Sequence, residues 1–109
     1  MSKFVEMRTY RLVPGGHAQW FKHYEELAMD VQKKILGNMV GYYNTEHGPL
    51  NEIVHMWGYD SLDDRLARRK ELFEQPEWNE FIPKVRPLME TQESRIMIPA
   101  PFFTVPESD

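Results

Sequence analysis

The stretch KFVEMRTYRL, residues 3–12, alternates strictly. Phe4, Glu6, Arg8, Tyr10 and Leu12 share one face, and Val5, Met7, Thr9 and Arg11 share the other. Period two sustained over so many residues reads as a β-strand with two distinct faces. Its counterpart is LNEIVHMWGY, residues 50–59, where Ile53, His55, Trp57 and Tyr59 alternate with Val54 and Met56. Pro14-Gly15-Gly16 breaks the first strand. From His17 to Leu36, the residues Trp20, Tyr24, Leu27, Val31 and Ile35 recur at steps of three and four, the stripe of an amphipathic helix. Gly37 and Asn38 both tolerate positive φ and stop it. Met39–Glu46 reads as a strand joined to residues 50–59 through the turn His47-Gly48-Pro49, so the two form a hairpin. Asp60-Ser61 caps a helix over 62–74, Gln75-Pro76 interrupts it, and Glu77–Val85 continues with Trp78, Phe81, Ile82 and Val85 apolar. Glu90–Ile98 supplies the last strand, and three prolines mark 99–109 as extended.

The order is β-α-β-β-α-β with a broken second helix, which matches the split βαβ arrangement. The expected fold class is therefore α+β and ferredoxin-like: a four-stranded antiparallel sheet with helices on one face. The first and third strands lie side by side at its centre. Residues 1–104 form one domain and residues 105–109 a C-terminal tail. A chain of 109 residues buries roughly two thirds of its unfolded surface, which gives one core layer and leaves ligand space only at a layer edge or between subunits.

Composition excludes several classes. A net charge of -4 offers no field for phosphate backbones, so nucleic acid is set aside as a partner. No apolar run reaches the length of a membrane span. Lys3, Glu6, Arg8 and Arg11 make the first dozen residues unlike a signal peptide or an organelle presequence. There is no cysteine, hence no disulfide, thiolate nucleophile or thiolate metal site, and a reducing cytoplasm is the default setting. His17 and His23 stand six apart, His47 sits in a turn and His55 lies mid-strand, a spacing that suggests no metal site. No cofactor is called for: Gly15-Gly16 lacks the G-x-G-x-x-G context of a phosphate cradle. Ser2, Ser61, Ser94 and Ser108 lack a His-Asp arrangement.

The two sheet faces differ. Val5, Met7, Val54 and Met56 are plain aliphatic groups suited to lie under the helices. The opposite face, with Phe4, Glu6, Arg8, Tyr10, Ile53, His55, Trp57 and Tyr59, is too aromatic to stay wet and too charged for an ordinary core. Docking it onto a second copy buries the rings and pairs the ions, so a homodimer enclosing a barrel-like interior is expected. The alternative is a monomer whose broken second helix and tail wrap over that face.

Glu6-Met7-Arg8-Thr9-Tyr10 resembles the E-x-R-x-Y opening of the NIPSNAP family. Gly48-Pro49-Leu50-Asn51 followed by His55-Met56-Trp57-Gly58-Tyr59 is similar to that family's G-x-L-N...H-x-W-x-Y block. Arg65 and Arg69 fall where it carries arginines, Trp78 follows Pro76 as its tryptophan follows a proline, and Pro99 to Phe103 resembles its P-x-P-F-S close, with Phe103 in place of the serine. The resemblance covers about Val5 to Phe103. It implies the dimeric α/β barrel fold, a group that includes cofactor-free monooxygenases, lactone isomerases and haem-degrading enzymes, and it names no reaction.

Two functions fit. One is a dimer binding a small apolar or aromatic ligand, or a protein partner, in or near the inter-sheet interior. The other is a cofactor-independent enzyme of monooxygenase or isomerase type acting on an aromatic, quinone-like or lactone substrate. For the enzyme, Glu6 or His55 is the base and Arg8 the anion holder. In either case Tyr10, Trp57 and Tyr59 form walls, and Arg65 and Arg69, four apart on one helix face, grip an anionic group. The plainer reading, a structural ion pair in which Glu6 neutralises Arg8, Arg65 or Arg69, is favoured, because buried charges must be paired with or without a ligand. Trp20 and Tyr24 at helical spacing read as core rather than pocket, and the run Arg65, Arg68, Arg69, Lys70 as a solvated face.

Overall fold

In the computed structural model, which describes residues 1–108, β1 (Phe4–Leu12) leads through Gly15 into α1 (Gly16–His23), a π-helical turn (Tyr24–Ala28) and α2 (Met29–Leu36). The hairpin of β2 (Asn38–Asn44) and β3 (Glu52–Tyr59) follows. Then come α3 (Leu62–Phe73), α4 (Pro76–Val85), a 3-10 turn (Arg86–Leu88) and β4 (Met89–Met97). The sheet order is β2-β3-β1-β4 with every pair antiparallel, so the first and third strands are central as their sequences required. Asp109, the last residue of the expected tail, lies outside the described residues.

Local chemistry accounts for the boundaries. Gly37 ends α2 at φ 90°, and a Cβ there would stand 2.9 Å from the Arg68 guanidinium, which donates to the Ile35 carbonyl at 2.9 Å. Ser61 caps α3 by accepting from the Asp64 amide at 3.0 Å, worth about 1 kcal/mol. Pro76 opens α4, where its missing N–H has no helical partner to lose. The long helix departs from the single regular helix expected over 17–36. Trp20, Tyr24, Ala28 and Gln32 are all buried at four-residue steps, each of which drifts about 40° around a helix of 3.6 residues per turn. The wider π turn absorbs that drift and keeps all four over the sheet.

The assignment of sheet faces is the reverse of the one expected. Phe4, Glu6, Tyr10, Leu12, Ile53, His55, Trp57 and Tyr59 are buried beneath the protein's own helices. Tyr10, Leu12 and Ile53 join Trp20, Tyr24, Phe81, Val85 and Leu88 in one core cluster, while Phe4, Trp57 and Tyr59 join Leu36 and Leu72 in a second. The face turned away from the helices carries Val5, Met7, Val54 and Met56, whose register places them together; Val5 is buried there, and the other three are partly exposed. The helices themselves are aromatic on their inner side, so the ring-bearing parity of the strands gains more buried area against them. The ions that seemed to forbid this face as a core are paired within the layer.

The tail is extended but not free. Val105 is buried, the Asn38 amide donates to the Pro106 carbonyl at 2.8 Å, and the Ser108 N–H donates to Asn38 Oδ1 at 2.7 Å. The domain boundary drawn at 104 thus falls just before a residue packed into the fold. No helix among the described residues is long and apolar enough to cross a membrane.

Candidate functional site

Glu6, in the middle of β1, is fully buried. Arg65, one turn into α3, reaches down and donates to both of its oxygens at 2.9 Å. Arg8, two residues along the same strand face, donates to Oε2 at 2.9 Å, and Ser94 on β4 donates to the same oxygen at 2.5 Å. Burial alone would raise the Glu6 pKa; the Arg65 and Ser94 hydrogen bonds and the Arg8 charge outweigh it and hold the carboxyl at about 2. Arg8 Nε also donates to the Tyr10 hydroxyl at 2.7 Å.

His55 lies opposite Arg8 in the β1–β3 register and is sandwiched by rings, stacked on Tyr42 at 4.8 Å and edge-on to Tyr10 at 5.0 Å. The Trp57 indole N–H donates to its Nδ1 at 2.7 Å. That fixes the neutral tautomer with hydrogen on Nε2, an atom that is buried and has no partner among the described residues. Burial first, then the Arg8 charge, lowers the His55 pKa to about 3. Tyr59, packed on Phe4 at 5.8 Å, is pushed up to about 12 by burial and by Glu6.

Beside these groups, between the sheet and the helices, is a cavity of about 460 Å³, a size that suits a small organic ligand. Arg8, Tyr10, His55 and Trp57 form its sheet wall, and Arg69 and Phe73 from α3 with Trp78 and Phe81 from α4 form its helical wall. Trp20 and Tyr24 complete it from the first helix, with the Trp20 N–H donating to the Tyr42 hydroxyl at 2.9 Å and Tyr24 donating to Gln32 at 2.5 Å.

The structure therefore gathers Arg8, Tyr10, His55, Trp57 and Arg69 at one cavity, but inside a single subunit's layers rather than between two sheets. Glu6 and Arg65 are locked together beneath it, and Tyr59 lies in the neighbouring core cluster. A carboxylate titrating near 2 and an imidazole whose Nδ1 already accepts a hydrogen bond are both poor proton acceptors at neutral pH. Trp20 and Tyr24, read from the sequence as core, do belong to the core cluster and also line the cavity, whereas Tyr42, Trp78 and Phe81 were not foreseen as its wall. The available signal was the aromatic density of the helical stripes, which core packing alone explained equally well.

The profile of the NIPSNAP family matches residues 5–104. The chain is 35% identical over 103 residues to the protein NipSnap homolog of Dictyostelium discoideum, covering 90% of this chain and 43% of that one, and 34% identical over 98 residues to NipSnap homolog 1 of Danio rerio, covering 90% and 34%. It thus spans about two fifths or less of the length of these curated relatives. Among solved structures, a NIPSNAP-like domain protein of Burkholderia xenovorans superposes with a TM-score of 0.90 at 38% identity, covering 95% of this chain and 91% of that one. An antibiotic biosynthesis monooxygenase from Nitrosomonas europaea shares the fold alone, with a TM-score of 0.64 at 14% identity over 85% of this chain and 94% of that one.

Proposed function

The chain belongs to the NIPSNAP family, and on that premise we propose that it is a binding domain for a small, flat, largely apolar molecule held in the cavity between sheet and helices. The observation that carries this reading is an aromatic cavity of about 460 Å³ beside a buried His55 N–H that no protein group satisfies. A buried donor without a protein acceptor is unfavourable, and a ligand in this cavity can both accept from it and pack on the surrounding rings. Binding is preferred to acid–base catalysis because Glu6 and His55 are held in forms that take up no proton near neutrality.

The proposal includes a homodimer. Met7, Val54 and Met56 lie on the uncovered sheet face, with Tyr43 61% exposed beside them. Ile98 and Phe102 are exposed past the end of β4. A second copy docked on this surface buries what water covers badly. A cytoplasmic setting stays part of the proposal and rests on the cysteine-free composition.

All three tryptophans, Trp20, Trp57 and Trp78, line the cavity, so tryptophan emission reports its occupancy. Titration with the neutral probe N-phenylnaphthylamine, read as energy transfer from tryptophan, should saturate at one probe per chain. Native mass spectrometry of freshly purified protein should show a co-purified small molecule. Absence of both saturable transfer and a bound molecule overturns the reading.

A further inference from the structure

The charge around the cavity is one-sided. Three of its lining residues are arginines, Arg8, Arg69 and Arg86, and none is Asp or Glu, although the chain as a whole carries a net charge of -4. The carboxylate beneath it is already saturated. Glu6 accepts from both nitrogens of the Arg65 fork, from Arg8 and from Ser94, and none of its hydrogen bonds goes to Arg69, which feels its charge only at a distance. Among the described residues Arg69 has no ion-pair or hydrogen-bond partner; its guanidinium rests over the Phe73 ring at 5.2 Å. It is half-buried, and burial and then the Arg8 charge press its pKa down. A partly desolvated guanidinium repelled by Arg8 and Arg65 gains from pairing with an anion.

Resting on the cavity reading above, we infer that the occupant is an anion: a flat aromatic or apolar acid with one carboxylate-like group against Arg69 and its rings among Trp78, Phe81 and Trp20. The planar guanidinium fork matches a carboxylate or sulfonate bidentately. Trp78 and Trp20 pack against Phe81 at 5.3 and 5.6 Å, so the three rings form one continuous aromatic wall for a flat ligand to lie on. Arg8 adds positive potential from below while its own Nε and Nη1 stay bound to Tyr10 and Glu6. Glu6 carries one negative charge against the two positive charges of Arg65 and Arg8, so the cluster beneath the cavity stays cationic and Arg69 is free to hold the ligand's anionic group.

The test uses two probes with the same rings. Anilinonaphthalene sulfonate carries a negative charge and N-phenylnaphthylamine does not. With energy transfer from tryptophan as the readout, the sulfonate should bind wild-type protein about tenfold or more tightly than the neutral probe, the ratio a charge-assisted hydrogen bond supplies. In Arg69→Gln the sulfonate should weaken to within about twofold of the neutral probe, whose affinity stays unchanged. Equal wild-type affinities overturn the anionic assignment while leaving the cavity as a binding site. A sulfonate preference that survives in Arg69→Gln overturns the role of Arg69. If neither probe binds, the cavity reading itself fails. The wild-type comparison decides the anionic assignment even if Arg69→Gln does not fold.

Discussion

Replacing Glu6 with glutamine exchanges one oxygen for an amide nitrogen and leaves the side chain's shape intact. In wild type each oxygen accepts from the Arg65 fork, and Oε2 also takes Arg8 and Ser94. In Glu6→Gln an NH2 donor faces a guanidinium donor, and two buried or half-buried cations lose their counter-ion. Two routes give the magnitude. A pKa held down from 4.5 to about 2, at about 1.4 kcal/mol per tenfold in acidity, corresponds to roughly 3 kcal/mol. Breaking a buried pair by removing one partner costs about 3–5 kcal/mol, and Arg65, with 24% of its side chain exposed, keeps enough water to hold the value near the low end. Urea unfolding at neutral pH should therefore show a loss of about 3 kcal/mol, or a fall in Tm on the order of 15 °C. The sign with pH follows from linkage. A depressed carboxyl pKa gives stability that is present above 4.5 and lost as pH falls toward about 2. The gap between wild type and Glu6→Gln should shrink across that window and close near its acid end. A gap under about 1 kcal/mol at neutral pH, or one that does not shrink on acidification, refutes the picture of a saturated, structural carboxylate.

His55 should add its own acid sensitivity: with its folded pKa at about 3 against 6.5 unfolded, stability falls as pH drops from 6.5 toward 3, because only the unfolded chain takes up the proton. In His55→Phe this slope should vanish from urea midpoints, while the orphaned Trp57 N–H lowers stability at neutral pH by about 1–3 kcal/mol. Arg65→Gln and Arg69→Gln should part company in the same assay, the first losing about 1–3 kcal/mol as Glu6 loses its fork, the second staying within about 0.5 kcal/mol of wild type. Sedimentation equilibrium should report a dimer for the wild-type chain and a monomer for Met56→Lys, whose charge lands in the centre of the uncovered face; a wild-type monomer sinks the proposed assembly. Val105→Ala should lower Tm by several degrees, as expected for a loss of about 1–2 kcal/mol at a buried site, and no shift would mean that the tail does not belong to the folded unit.

Alternation in 3–12 and 50–59, the helical stripe of 17–36, and the punctuation at Gly15, Gly37, Ser61 and Pro76 all act within a few residues. They were therefore legible in the sequence, and with them the element order, the antiparallel sheet and its central pair. That Glu6, Arg8, Tyr10, His55 and Trp57 share one face was legible too, because the pleat fixes their parity. What the sequence left open was which way that parity faces. Both parities of β1 and β3 offer apolar groups, and local patterning cannot say whether Glu6 meets water, a second copy or Arg65, 59 residues away in the chain. Only the packed helices decide it. They bring Arg65 onto Glu6 and the rings of α1 and α4 over His55, turning a face that looked too ionic for a core into a buried layer with a cavity. They also leave Met7, Val54 and Met56 on the opposite face, where they stay partly exposed. Tertiary structure alone assigned inside and outside because the pairing of a buried charge depends on groups distant in sequence, whereas alternation depends only on the next residue.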